Sequence, residues 1–305
     1  MNCDAVGTLD MSQYHLTKRI IAATGLQDAN PAPTPAVKPL GKELDSGQCQ
    51  EQWSMRSIVG MLQYLANNTR CEIAYAVNNV ARHCNNPQRA HEIAIKRIVK
   101  YLKGSLYVDN NGQERVKGTF LNRDSLHHVK GSKLSLDMYC DADFGGLYGF
   151  EDNHDPICAH SHTGYVIMLG GMPVMWQSKL QPVIASSTAE AESQALATGM
   201  RSLVHLRRVL FEIDDVFNIG IDRLSKISKV YEDNQAALLT ATADPPRLTP
   251  RNKSWAIKIH WYRQWLKDGE IMILPIPTDI QTADILTKPL SRELFERHRK
   301  ALLGW

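Results

Sequence analysis

Between Trp53 and Gly104 the apolar positions recur at helical spacing. Ile58, Met61, Leu62 and Leu65 predict one buried stripe, Ile73, Val77 and Val80 a second, and Ile93, Ile98 and Leu102 a third. Asn85-Asn86-Pro87 separates the second stripe from the third and Gly104 ends it, so three short helices packed as a small bundle are expected. Upstream, Leu16 to Ile21 followed by Gly25 predicts a short amphipathic helix, and Asn30-Pro31-Ala32-Pro33-Thr34-Pro35 a linker without regular structure. Asn110-Asn111-Gly112 predicts a hairpin. From Leu134 the period changes to two. Strands are expected from Leu134 to Cys140, Tyr165 to Leu169 and Pro173 to Gln177, with Gly170-Gly171 turning between the last two. A long helix from Thr188 to Ile213, a strand from Lys229 to Tyr231, helices from Asn234 to Thr242 and Ser254 to Leu266, a strand from Glu270 to Pro275 and a terminal helix from Ser291 to Leu303 complete the pattern. A meander followed by strands alternating with helices predicts an α/β fold, a mixed sheet flanked by helices. Boundaries are expected near 52 and 130, giving segments 1–52, 53–130 and 131–305.

Composition narrows the chemistry only a little. The 305 residues are 43% hydrophobic and 22% charged, ordinary for a globular protein, and the net charge of +3 is too small to define a polyanion binder. The distribution of charge says more: Arg89, His91, Lys96, Arg97, Lys100 and Lys103 crowd the third helix, either as a solvated face or as a nucleic-acid contact. Six scattered cysteines without CxxC pairs fit reduced thiols in an intracellular protein. No stretch approaches the roughly 18 apolar residues of a membrane span, and Met1-Asn2-Cys3-Asp4 is no signal peptide, so no membrane partner is expected.

Four acids stand at the ends or edges of differently patterned segments: Asp141, Glu192, Asp233 and Asp284. Carboxylates this far apart in sequence must be gathered by a fold, and gathered negative charges require protons or a cation. Hard oxygen donors suit Mg²⁺ or Mn²⁺, and a pair of such ions is the usual device for in-line attack on a phosphodiester. Asp143 shares the strand parity of Asp141, which lies closer to the rigid strand. Glu190 competes with Glu192, but Ser187-Thr188-Ala189-Glu190 matches a capping box, which gives Glu190 a structural role. Asp233 by itself reads as a helix N-cap. Asn234 and Gln235 can fix the turn after it and reach a phosphate. His154, Cys158, His160 and His162 in one polar loop lack the paired spacing of a zinc site. There is no GxGxxG, Walker or serine-nucleophile motif.

In detail, these segments resemble the ribonuclease H domain of copia-type (Pseudoviridae) retrotransposon Pol polyproteins. The matching residues are Tyr139-Cys140-Asp141-Ala142-Asp143-Phe144-Gly145-Gly146, Thr163-Gly164-Tyr165-Val166-Ile167, Trp176-Gln177-Ser178-Lys179-Leu180-Gln181, Ser187-Thr188-Ala189-Glu190-Ala191-Glu192, Glu232-Asp233-Asn234-Gln235-Ala236-Ala237 and Gln281-Thr282-Ala283-Asp284-Ile285-Leu286-Thr287-Lys288. Upstream, Arg56 to Ala66, Ile73 to Val77 and Lys96 to Gly104 resemble the thumb and connection that end the reverse transcriptase of the same polyproteins. No Tyr-x-Asp-Asp motif occurs, so no DNA polymerase activity is expected from this chain. Cys71, Glu72 and Ser193, and the absence of a histidine after Lys253, depart from the family pattern and point to a fragmentary or decaying copy.

The resemblance implies a reverse transcriptase remnant and linker (1–52), a helical thumb and connection (53–130) and a ribonuclease H-like domain (131–305). It implies hydrolysis of the RNA strand of RNA–DNA hybrids, with two Mg²⁺ or Mn²⁺ ions on Asp141, Glu192, Asp233 and Asp284; a catalytically silent nucleic-acid-binding remnant is the alternative. Nucleic-acid contacts are expected from Asn234, Gln235, Arg251, Lys253, Lys258, His260 and Arg263, and from Lys96, Arg97 and Lys100. Trp255, Ile259 and Tyr262 are expected to pack rather than to stack bases. The partners implied are an RNA–DNA hybrid and the upstream palm and fingers of a longer polyprotein; the setting is cytoplasmic, within virus-like particles.

Overall fold

A computed structural model describes residues 2–3, 9–121, 135–217, 227–244 and 253–305. The chain forms two compact units: residues 1–121, 145–160 and 288–305 make the first, and 122–144 with 161–287 the second.

The first unit contains strands β1 (Asn2–Cys3) and β2 (Leu9–Met11), helices α1 (Tyr14–Ala23), α2 (Met55–Asn68), α3 (Ala74–Ala81) and α4 (Arg89–Lys103), and strands β3 (Leu106–Val108), β4 (Glu114–Val116) and β5 (Thr119–Leu121). The predicted helices form where the periodicity places them. Ser54 caps α2 by accepting from Ser57 N at 3.3 Å, and Gly25, with φ of +67°, follows the end of α1. Ile58, Leu62 and Leu65 are buried with Ile73, Val77 and Val80.

One predicted stripe needs correction: Ile93 is 55% exposed, and α4 buries Ile95, Ile98, Val99 and Leu102. Those four keep the i, i+3, i+4, i+7 spacing, whereas Ile93 lies two residues before Ile95, on the opposite side of the helix. The proline-rich segment has no regular structure, as expected, yet it is held on α4: Ala32 N donates to Lys100 O at 3.3 Å and Arg97 Nη2 to Thr34 Oγ1 at 2.9 Å. Asp109 Oδ1 accepts from Asn111 N and Gln113 N, both at 2.9 Å, and forms the predicted turn between β3 and β4.

The departure at Glu72 is built into this core. Arg70, fully buried, donates from Nε to Glu72 Oε1 at 2.6 Å and from Nη1 to Ser105 Oγ at 3.0 Å, while Tyr101 OH reaches Glu72 at 3.2 Å. The terminal helix, Arg292–Leu303, brings Trp305 over the Arg70 guanidinium at 5.4 Å.

The second unit is a five-stranded sheet. In chain order it contains β6 (Leu136–Asp143), β7 (His162–Leu169), β8 (Met172–Leu180), α5 (Thr188–Phe217), β9 (Ser228–Glu232), α6 (Gln235–Thr242), α7 (Lys253–Lys267) and β10 (Ile271–Pro275). The strand order is β10-β9-β6-β7-β8; β6, β7 and β8 are antiparallel, and β9 runs parallel to both β6 and β10. β6 continues three residues beyond the predicted end because Asp143 still pairs with His162. Asp141 is therefore inside a paired strand, opposite Gly164, rather than at a strand end. Leu136, Met138 and Cys140 face a core shared with Val230, Ile271, Ile273 and the helices α5 and α7. Gly199 sets the closeness of α5 to the sheet: a Cβ there would stand 2.6 Å from Met138 Sδ. Trp255, Ile259 and Tyr262 are buried in the same core, as expected of a packed stripe.

Candidate metal centre

The three elements that carry acids meet at one end of β6. Small residues allow this: Ala142 on β6 packs with Ala185, Ala191 and Ala195, so the first turns of α5 close onto the strand and bring Glu192 beside Asp141. Asp233 follows the last residue of β9. The helix after it is capped by Asn234, whose Oδ1 accepts from Ala236 N and Ala237 N at 3.0 Å each. Capping by Asn234 leaves the Asp233 carboxylate available. Among the described residues, Asp141, Glu192 and Asp233 form the group able to hold a metal ion, with one oxygen from each all within 4.8 Å of one another.

Glu190 has the structural role expected of it, with one difference in detail. Its N–H donates to Ser187 Oγ at 3.2 Å, but its carboxylate accepts from Ser186, at 2.8 Å from N and 2.6 Å from Oγ, rather than from Ser187 N. Asp143 is half-buried and outside the group. Asp284 is buried in the short 3₁₀ turn Thr282–Leu286, which packs against β6 and β7, and it too is outside the trio. His154, Cys158, His160 and His162 are not gathered into a metal-binding group; residues 145–160 pack within the first unit, where Glu151 accepts from Lys42 N at 3.0 Å.

A fourth acid, which the sequence offers only as the neighbour of Asp233, lies beside the trio. Glu232 is fully buried, accepting from Asn234 N at 3.0 Å and from Cys140 Sγ at 3.5 Å. Strand parity could have located it, since Ser228, Val230 and Glu232 share the core-facing side of β9. Burial above all, then the N–H of Asn234 pulling the other way and the nearby Asp233 and Asp141 charges, leave the Glu232 carboxyl at about 8. Burial and the charges of Glu232, Asp141 and Asp233 hold Glu192 well above the ordinary carboxylate range.

The segment 281–287 ties these parts together. Gln281 Nε2 donates to Cys140 O at 2.9 Å and lies 3.5 Å from Tyr231 O, bridging the strands that lead to Asp141 and Asp233. Thr287 Oγ1 donates to Asp141 Oδ2. Neither residue stands out in sequence, because a hydroxyl or amide that orients a ligand has no spacing of its own.

The donor set fits a hard divalent cation. Every donor is a carboxylate oxygen, and Glu192 Oε2 and Asp233 Oδ1 are buried without a hydrogen-bond partner among the described residues.

The basic residues named from sequence fall into different surroundings. Lys96 pairs with Glu51 at 2.5 Å and Glu92 at 3.0 Å, and Arg97 donates to Thr34. Lys100 is half-buried. Arg263 is buried and donates to Ala243 O. His260 and Gln235 are exposed, Lys253 opens α7, and Arg251 lies outside the described residues. Lys258, with Lys179 and Arg201, lines a cavity of about 240 Å³ that also touches Thr163, Gln181 and Gln194.

The strand order and directions, with acids from β6, α5 and the end of β9, define a ribonuclease H-like domain. No family model matches the chain. The chain is 33% identical over 295 residues to the retrovirus-related Pol polyprotein from transposon RE2 of Arabidopsis thaliana, which covers 96% of this chain and 18% of that protein. It is 34% identical over 289 residues to the corresponding polyprotein from transposon RE1, covering 94% and 17%. Among solved structures it is similar to RNase H1 from Halobacterium salinarum NRC-1, at 16% identity, 50% of this chain, 94% of that chain and a TM-score of 0.33. The chain belongs to the copia-type retrotransposon Pol polyprotein family. It spans less than a fifth of the length of these Pol relatives. Among the described residues no helix is long and apolar enough to cross a membrane.

Proposed function

We propose that the second unit is a metal-dependent ribonuclease that cleaves the RNA strand of RNA–DNA hybrids. The observation that carries this reading is the convergence of Asp141, Glu192 and Asp233 from three separate elements to within 4.8 Å. Buried carboxylates held this close repel one another unless protonated or bridged by a cation, and burial, with the neighbouring charges added to it, raises the Glu192 carboxyl. In this reading Asp141, Glu192, Asp233 and Asp284 hold Mg²⁺ or Mn²⁺. A bound pair of such ions supplies an activated water and neutralises charge at the leaving 3′ oxygen. The chain's own residues orient the site: Asn234 fixes the turn after Asp233, while Gln281 and Thr287 hold the strand carrying Asp141. Lys179, Arg201 and Lys258, three cations lining one cavity, support binding of a polyanion. Selection for RNA would come from the 2′-hydroxyl in the wide minor groove of an A-like hybrid.

The test is a labelled RNA–DNA hybrid incubated with the purified chain and Mg²⁺ or Mn²⁺. Metal-dependent cleavage that disappears in folded Asp141→Asn and Asp233→Asn variants is expected. Tight, salt-sensitive binding without cleavage in either metal would replace this reading with that of a silent nucleic-acid-binding remnant.

A further inference from the structure

We propose that Thr287 is a positioning residue of the carboxylate site, its hydroxyl fixing Asp141 in the orientation that receives a divalent cation. The proposal rests on the metal-site reading above. Thr287 is fully buried, and its two branches do different things. Oγ1 faces two acceptors, Asp141 Oδ2 and, at 3.2 Å, Asp284 O. A hydroxyl has one proton to donate, and the nearer acceptor, the carboxylate oxygen, takes it. The methyl group fills the space above Gly164, the residue paired with Asp141 across the sheet: a Cβ on Gly164 would lie 2.6 Å from Thr287 Cγ2 and 2.8 Å from Leu286 Cβ. The turn is pinned from the same side, since Ser178 Oγ donates to Leu286 O at 2.6 Å. The branched side chain thus meets an empty position on β7 with its carbon and a ligand on β6 with its oxygen. Serine keeps only the second contact, and valine only the first.

This predicts an asymmetry between two small substitutions. Groups that orient a metal ligand typically change metal affinity by about 10–100-fold when removed. Mn²⁺ binding to the full chain, followed by the electron paramagnetic resonance signal of free Mn²⁺, reads this without requiring hydrolysis. Thr287→Val is expected to weaken binding at least about tenfold, with circular dichroism unchanged, while Thr287→Ser stays within a few-fold of wild type. Thr287→Ala, which removes the hydroxyl without adding bulk and alters no carboxylate, is expected to weaken binding like Thr287→Val and, set against Thr287→Ser, decides the matter should the valine variant not fold. Asp141→Asn is the reference. Wild-type affinity in folded Thr287→Val, or equal losses in the serine and valine variants, overturns the positioning role while leaving the metal site in place. Unchanged Mn²⁺ binding in Asp141→Asn overturns the metal-site reading and this role with it.

Discussion

Glu232 offers a sharp test of the electrostatics around the site, because it is buried, acidic and one residue from Asp233. In the folded chain its carboxyl holds its proton up to about pH 8, against 4.5 for an ordinary glutamate. Across that interval the folded state binds more protons than the unfolded chain, so stability falls as pH rises. The stabilisation from this group is complete below pH 4.5 and is lost as pH passes through about 8. At about 1.4 kcal/mol per pH unit, the distance from 4.5 to about 8 sets a ceiling of about 5 kcal/mol. Glu232→Gln keeps the oxygen that accepts from Asn234 N and removes the titration. Thermal unfolding followed between pH 5 and 9 in EDTA should show similar Tm values for the two proteins at the acid end. At pH 9 the variant should be the more stable, by a Tm difference on the order of 10 °C. Glu192, shifted in the same direction, leaves the variant a shallower slope of the same sign. Adding Mg²⁺ should reduce the loss in the wild-type protein, since a cation compensates the charge that burial penalises. Parallel pH profiles for wild type and Glu232→Gln would refute the reasoning.

Two further outcomes follow from local geometry. Asn234→Ala removes the cap of α6 and should cost about 1 kcal/mol in urea unfolding, and cleavage of hybrid should fall as well because the same turn carries Asp233. Arg70→Met strands the buried Glu72 carboxylate and should cost about 3–5 kcal/mol in the first unit, whereas the double replacement Arg70→Met with Glu72→Leu should recover most of that loss.

Much of the fold was legible in sequence because one face of each element is buried, and burial imposes a period. The stripes of α2 and α3, the meander of β6 to β8 and the packed face of α7 follow from that rule. Ile93 is the exception: five residues before Ile98 it is out of helical phase, and Ile95, three before, is the one that α4 buries. The site was partly legible. Asp141, Glu192 and Asp233 stand out because each acid interrupts or ends a patterned run, and Glu190 could be set aside because a capping motif accounts for it. Glu232 does not stand out beside Asp233, although its parity with Val230 marks it as inward-facing. For the basic residues of α4 the sequence shows charge but not partners: Lys96 pairs with Glu51 and Glu92, and Arg97 donates to Thr34.

By itself the sequence determined the elements, the faces they bury and the acids that can ligate a metal, since these depend on local spacing and side-chain chemistry. Only the tertiary structure decided which oxygens lie within 4.8 Å, which acid is held protonated beside them, and that Gln281 and Thr287 hold the strand between them. Distance, desolvation and hydrogen-bond partners belong to pairs of residues as far apart in the chain as Asp141 and Thr287, and those pairs exist only once the sheet has closed around them.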